Sequence, residues 1–214
     1  MKLSKLVIAI AAVCGSISAN AAVSGALGGG FGTFLQLSSA GLSLGSVATL
    51  SGGTVYTADQ PFADIPKGGI FGGNFLAAGP TSGSPATLTF TGAGVDYISF
   101  LWGSPDLYNQ LTVTSTGMGS PQTFTVGSLG FSVTNGDQNF SQYVQFTGLA
   151  GSKITSLSFA NRPSTDAFET ANYSVTPVPE PETYALMLAG LIRCRFVHPR
   201  TQRPHGRARR RSGF

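Results

Sequence analysis

From residue 86 onward the chain alternates apolar and hydroxyl-bearing side chains with a period of two. In 86–91, Leu88 and Phe90 alternate with Thr87, Thr89 and Thr91; in 95–102, Ile98, Phe100 and Trp102 share one parity. On an extended strand this places one set of side chains on a buried face and the other towards water. The pattern recurs over 107–116, 122–126, 131–134, 142–147, 154–159 and 172–175. Turn residues separate the segments: Gly92 and Gly94, Gly103 to Asp106, the Asn135-Gly136 pair of a tight hairpin turn, Gly148 and Gly151. No convincing amphipathic helix interrupts the series, and parallel strands would need crossovers of about a dozen residues. The expectation is an all-β fold, an antiparallel, jelly-roll-like β-sandwich over residues 22–176. Roughly 150 residues are enough to bury a core without disulfides.

Upstream the pattern is looser. Residues 22–53 are rich in Gly, Ser and Ala, yet Phe31, Phe34, Leu35, Leu42 and Leu44 argue for one or two short strands among loops. The glycines have no strand–GxGxxG–helix context and no P-loop lysine. Over 54–85, Pro61, Pro66, Pro80 and Pro85 alternate with glycine pairs, which predicts long surface loops.

Several function classes fall away on composition. Both cysteines, Cys14 and Cys194, and both histidines, His198 and His205, lie outside 22–176. The body therefore has no disulfide, no Cys or His zinc ligand, no Ser-His-Asp triad and no Cys-His dyad. The formal charge of +4 is misleading, because eight arginines lie in 193–214 and Lys2 and Lys5 at the start. The stretch between carries only Lys67, Lys153 and Arg162 against all nine acids. A nucleic-acid binder needs bases on its folded face, so that partner is rejected. No cofactor is expected.

The two ends read as targeting segments. Residues 1–21 have a positive start, an apolar core and an Ala19-Asn20-Ala21 site, predicting a secretory signal peptide cut between Ala21 and Ala22. Near the other end, Pro179-Glu180-Pro181 leads into an apolar run and then the arginine-rich tail. That order resembles the PEP-CTERM sorting signal of exosortase substrates. The resemblance implies export through the inner membrane, transient membrane association, processing by an exosortase-type enzyme, and release to the cell surface or outside. Residues 177–192 would form the motif and its helix, and 193–214 a basic, disordered tail. The uncharged run from Thr183 ends at Arg193, about half of the ~20 residues a membrane helix needs. A frameshift near Leu191 is one expectation. A variant tail held at anionic headgroups is the other.

Two body stretches extend the resemblance. FLWGSPDLYN at 100–109 is similar to the WGS-x-D-x-YN signature of one group of exosortase-dependent surface proteins. AFETAN at 167–172 resembles their FE-x-DN final strand, with Ala171 where an Asp is common. The implied role is a surface protein without established chemistry.

Trp102 and Tyr108 are candidate glycan contacts, since aromatic rings stack on sugar C–H faces, although parity places Trp102 with the core residues Ile98 and Phe100. Asp106 and Asn109 read as turn residues, with Ca²⁺ ligation the second reading. The 135–139 segment lacks a full calcium loop, and no metal site is expected. No spacing among Asp59, Asp64, Asp96, Asp106, Asp137, Asp166 and Glu169 picks out a hydrolase pair. The leading expectation is a non-catalytic surface or biofilm-matrix protein associated with exopolysaccharide. The alternative is a carbohydrate-binding module, with a carboxylate-dependent glycan hydrolase behind both.

Overall fold

The structure, a computed structural model, describes residues 22–30 and 32–175. The segments 1–21 and 176–214, with Ala21 and the Pro179-Glu180-Pro181 motif, lie outside the described residues.

The chain forms two antiparallel sheets. Its strands are β1 (Val23–Leu27), β2 (Leu37–Ser38), β3 (Gly41–Leu42), β4 (Ala48–Ser51), β5 (Thr54–Tyr56), β6 (Phe75–Ala78) and β7 (Ala86–Phe90). They continue as β8 (Tyr97–Gly103), β9 (Asn109–Ser115), β10 (Gln122–Thr125), β11 (Ser141–Gly148), β12 (Ile154–Asn161) and β13 (Phe168–Ser174). One sheet has the order β1-β11-β8-β13-β6-β5, the other β10-β9-β12-β7-β4-β3-β2. From β6 to β13 the chain changes sheet at every connection except β9–β10. The result is an all-β sandwich.

The inward residues of both sheets share one core. Ile98, Phe100 and Trp102 of β8 meet Leu111 and Val113 of β9, Leu88 of β7, and Leu157 and Phe159 of β12. Phe100 lies edge-on to Phe159 with centroids 5.5 Å apart, an arrangement worth ~0.5–1.5 kcal/mol beyond area burial. The period-two pattern thus has a direct physical reading: these are the side chains that two sheets remove from water.

The expectations for 54–85 and 131–134 need correction. Residues 54–85 contain β5 and the fully buried β6, and the loop between them covers the outer face of the first sheet. Ala63 packs there with Phe75, Ala77, Ala167 and Ala171, joined by Tyr56, Phe62, Ile65 and Ile70. This layer covers the outward side of β13 and reaches β8 at Gly103, which Pro66 covers, while Gly29 lies against Tyr97 and Ser99 farther along β8. Residues 131–134 form no strand. A one-turn helix, Val126–Leu129, precedes them, and the Phe131 N–H donates to the Val126 carbonyl at 3.0 Å. Phe131 then sets its ring against Trp102, 5.3 Å away. Asn135-Gly136 consequently makes no two-residue hairpin: Asn135 bridges to Asp106 instead. Residues 22–53 hold four short strands rather than one or two.

Gly148 closes β11 where the chain leaves no room for a side chain. A Cβ there would lie 1.9 Å from the Ser152 carbonyl oxygen, which is backbone and cannot swing away. Gly148→Ala is expected to cost about 3 kcal/mol through overpacking, read as a lower urea midpoint at unchanged m-value.

Candidate functional site

The site is built where β8 and β13 lie side by side. Glu169 pairs with Gly103, Thr170 with Trp102 and Ala171 with Leu101, so the 100–109 and 167–172 stretches are hydrogen-bonded neighbours. Along β13 the parity alternates. Phe168 points into the sandwich and stacks on Trp102 at 4.2 Å. Glu169 and Ala171 have the opposite parity, and Ala171 packs beneath the 57–74 loop layer.

Trp102 is not a glycan platform. It has no exposed surface, and its Nε1–H donates to Asn109 Oδ1 at 3.3 Å. Asn109 is equally buried and acts as a junction. Its Oδ1 also accepts from the Asp106 N–H at 2.8 Å, while its Nδ2 donates to Asn161 Oδ1 at 3.0 Å and the Ala167 carbonyl at 3.5 Å. Asn161 Nδ2 continues to the carbonyls of Ala78 and Thr165. The turn reading holds for Asn109, whose side chain takes the Asp106 N–H, whereas the Asp106 side chain faces the pocket beside Tyr108. The turn is in addition tied to β12 and to the residue that leads into β13.

Asn172, the last residue of the second stretch, sits at φ 55. Its Oδ1 accepts from the Phe71 N–H at 2.6 Å, and its Nδ2 donates to the Gly69 carbonyl at 3.0 Å and the Tyr143 hydroxyl at 2.7 Å. It fastens the far end of the loop layer.

Tyr108 is half-buried at the edge of a pocket of about 220 Å³. The signature turn supplies Ser104, Asp106 and Tyr108; the covering loop supplies Pro61, Phe62 and Asp64. Gly136 and Gln138 form another side, and Asp166, Ala167 and Glu169 complete it. The fold therefore collects four of the seven candidate carboxylates. Asp96 is elsewhere, paired with Lys153 at 2.6 Å. Asp59 accepts from the Ile65 N–H at 2.7 Å, and Asp137 from the Asn139 N–H at 2.9 Å.

The four differ in environment. Both Asp166 oxygens accept from Thr81, at 3.1 Å from its N–H and 2.6 Å from its hydroxyl. Glu169 is 3% exposed, and its Oε2 has no hydrogen-bond partner. Burial, and secondarily the negative charges of Asp64 and Asp106, push its carboxyl up to about 9 against partial relief from backbone N–H groups. Asp64 is also raised, by burial and by Asp59. The Tyr108 phenol is held protonated by burial, by the adjacent Asp106 carboxylate, and by the charges of Glu169 and Asp166; its hydroxyl donates to the Asp166 carbonyl at 3.0 Å. Burial thus favours the neutral form of Glu169, in a wall that also holds Asp64, Asp106 and Asp166. Among the described residues, no three acidic, His or Cys side chains are placed to hold one metal ion.

No protein-family model, curated protein or solved structure matched this chain.

Trp102 was visible in the sequence as a distinctive residue, and its parity already pointed inward. Glu169 carried no comparable signal, because its burial depends on the loop around Asp64, about a hundred residues earlier.

Proposed function

We propose that this chain is an exported, non-catalytic surface or extracellular-matrix protein associated with exopolysaccharide. The carrying observation is the order of segments. A basic, apolar leader ending at Ala19-Asn20-Ala21 precedes the β-domain, and Pro179-Glu180-Pro181 follows it. In this reading the domain is a jelly-roll-like module, its leader is removed between Ala21 and Ala22, and an exosortase-type enzyme is its processing partner at the inner membrane. A body without nucleophile–base pairs suits an architectural role.

The test is fractionation of cells expressing the full-length chain, with N-terminal sequencing of the product. The expected product starts at Ala22 and is found at the surface or in the medium. An intact Met1 terminus in the cytoplasm would overturn the proposal. Replacing Pro179, Glu180 and Pro181 by alanine is expected to leave leader removal intact and to change only processing at the other end.

The pocket favours a second reading, a carbohydrate-binding module. Its support is the half-buried Tyr108 ring beside polar groups that accept or donate hydrogen bonds. Binding would then centre on this pocket and not on Trp102.

A further inference from the structure

We infer that the pocket between the signature turn and β13 binds the ammonium group of an amine-bearing sugar, with Glu169 at its floor and Tyr108 at its rim. This rests on the glycan-binding reading above and adds the charge of the ligand.

Three observations carry the inference. Asp64, Asp106, Asp166 and Glu169 face one cavity, and none of the body's three cations lines it. Glu169 Oε2 is buried without a partner; a buried acceptor left unmet costs ~1–3 kcal/mol, more when charged, which a donor arriving with the ligand would recover. Among the described residues, no three of these side chains converge on one bare ion. An ammonium differs from a metal here because its three N–H donors reach separate acceptors.

Size and wall chemistry select the carrier. At about 220 Å³ the cavity is smaller than the ~300–1,000 Å³ of drug-sized sites, and suits one sugar ring or a chain end. A lysine side chain would need apolar walls for its methylene stem. Here Pro61, Phe62 and Ala167 contribute little of the open wall, which is mainly polar, with Ser104, Gln138, Asp106 and Asp166, and such groups match hydroxyls.

The experiment is calorimetric titration of the full-length chain with glucosamine tetramer. The comparison ligands are its N-acetylated counterpart, a glucose tetramer, a lysine-containing oligopeptide, and CaCl₂. The glucosamine tetramer is expected to bind at least tenfold more tightly than every other probe. Glu169→Gln, which retains the side-chain shape but cannot give up a proton to become the counter-ion of an arriving ammonium, is expected to weaken it tenfold or more without changing the circular dichroism spectrum. Equal binding of all three glycans would overturn the inference while sparing the glycan reading; no glycan binding would remove both. Equal binding of the lysine peptide, or Glu169-dependent binding of Ca²⁺ alone, would also overturn the inference.

Discussion

Asn109→Ala is expected to lower the unfolding free energy by about 3–5 kcal/mol, the largest loss of any single polar substitution in this domain. The side chain meets Trp102, the Asp106 N–H, Asn161 and the Ala167 carbonyl with no access to water. Alanine fills none of these roles. It leaves the Trp102 Nε1–H and the Asp106 N–H without their acceptor, and a stranded buried group costs ~1–3 kcal/mol. A domain of this size has only ~5–15 kcal/mol in total, so the loss is a large share. Thermal or urea unfolding of the purified variant measures it. Trp102→Phe is not a clean probe of the N–H, since it also removes the pyrrole ring and leaves a void at a site with no exposed surface. A loss below 1 kcal/mol for Asn109→Ala would mean that water or a shifted neighbour replaces the junction.

The junction gives the two distinctive stretches a common physical account. Trp102 and Phe168 stack on the inner face of one sheet, Asn109 ties the turn to β12 and to the residue that leads into β13, and Asn172 fixes the loop layer from the other side. Tyr108 and Glu169 border the pocket from these same segments. Residues that organise the fold therefore also shape the site, and a substitution at Trp102 or Asn109 would disturb binding through structure. Tests of ligand recognition belong at Glu169 or Tyr108.

How much was legible beforehand follows the range of the interactions. The alternation at Leu88–Phe90, Ile98–Trp102 and Leu157–Phe159 is local, and it correctly marked strands and inward faces, whereas Ile154 is turned inward by a register shift before Ser156. Strand β6 was missed because Phe75, Leu76, Ala77 and Ala78 are buried on both faces and show no alternation. Phe131 and Val133 carried a β signal, yet packing of Phe131 onto Trp102 prevailed over local preference. At the site, Tyr108 was recognisable as an aromatic beside a turn. The Asn109–Asn161 bond spans 52 residues and left no local mark. The environment of Glu169 depends on Asp64 and on a loop that glycine and proline made look like exposed surface.

That environment leads to a pH dependence of opposite sense to the usual behaviour of salt-bridged carboxylates. In the unfolded chain the Glu169 carboxyl loses its proton near the ordinary value of 4.5; in the folded protein it keeps it up to about 9. Between those limits the unfolded state binds fewer protons, so raising the pH favours unfolding, by up to roughly tenfold in the equilibrium constant per pH unit. Below 4.5 both states are protonated and the contribution is fully present; above 9 both are ionised and no further loss occurs. Asp64, raised in the same direction, adds to the effect at the acid end. Glu169→Gln removes the titrating group while keeping a neutral side chain of the same shape. The variant is expected to be more stable than the parent at pH 8 by on the order of a few kcal/mol, and nearly equal to it at pH 4. Urea unfolding of both proteins at pH 4, 6 and 8 decides this. Parallel curves with a constant offset would show that Glu169 is ionised in the folded state, and that the pocket already satisfies its charge.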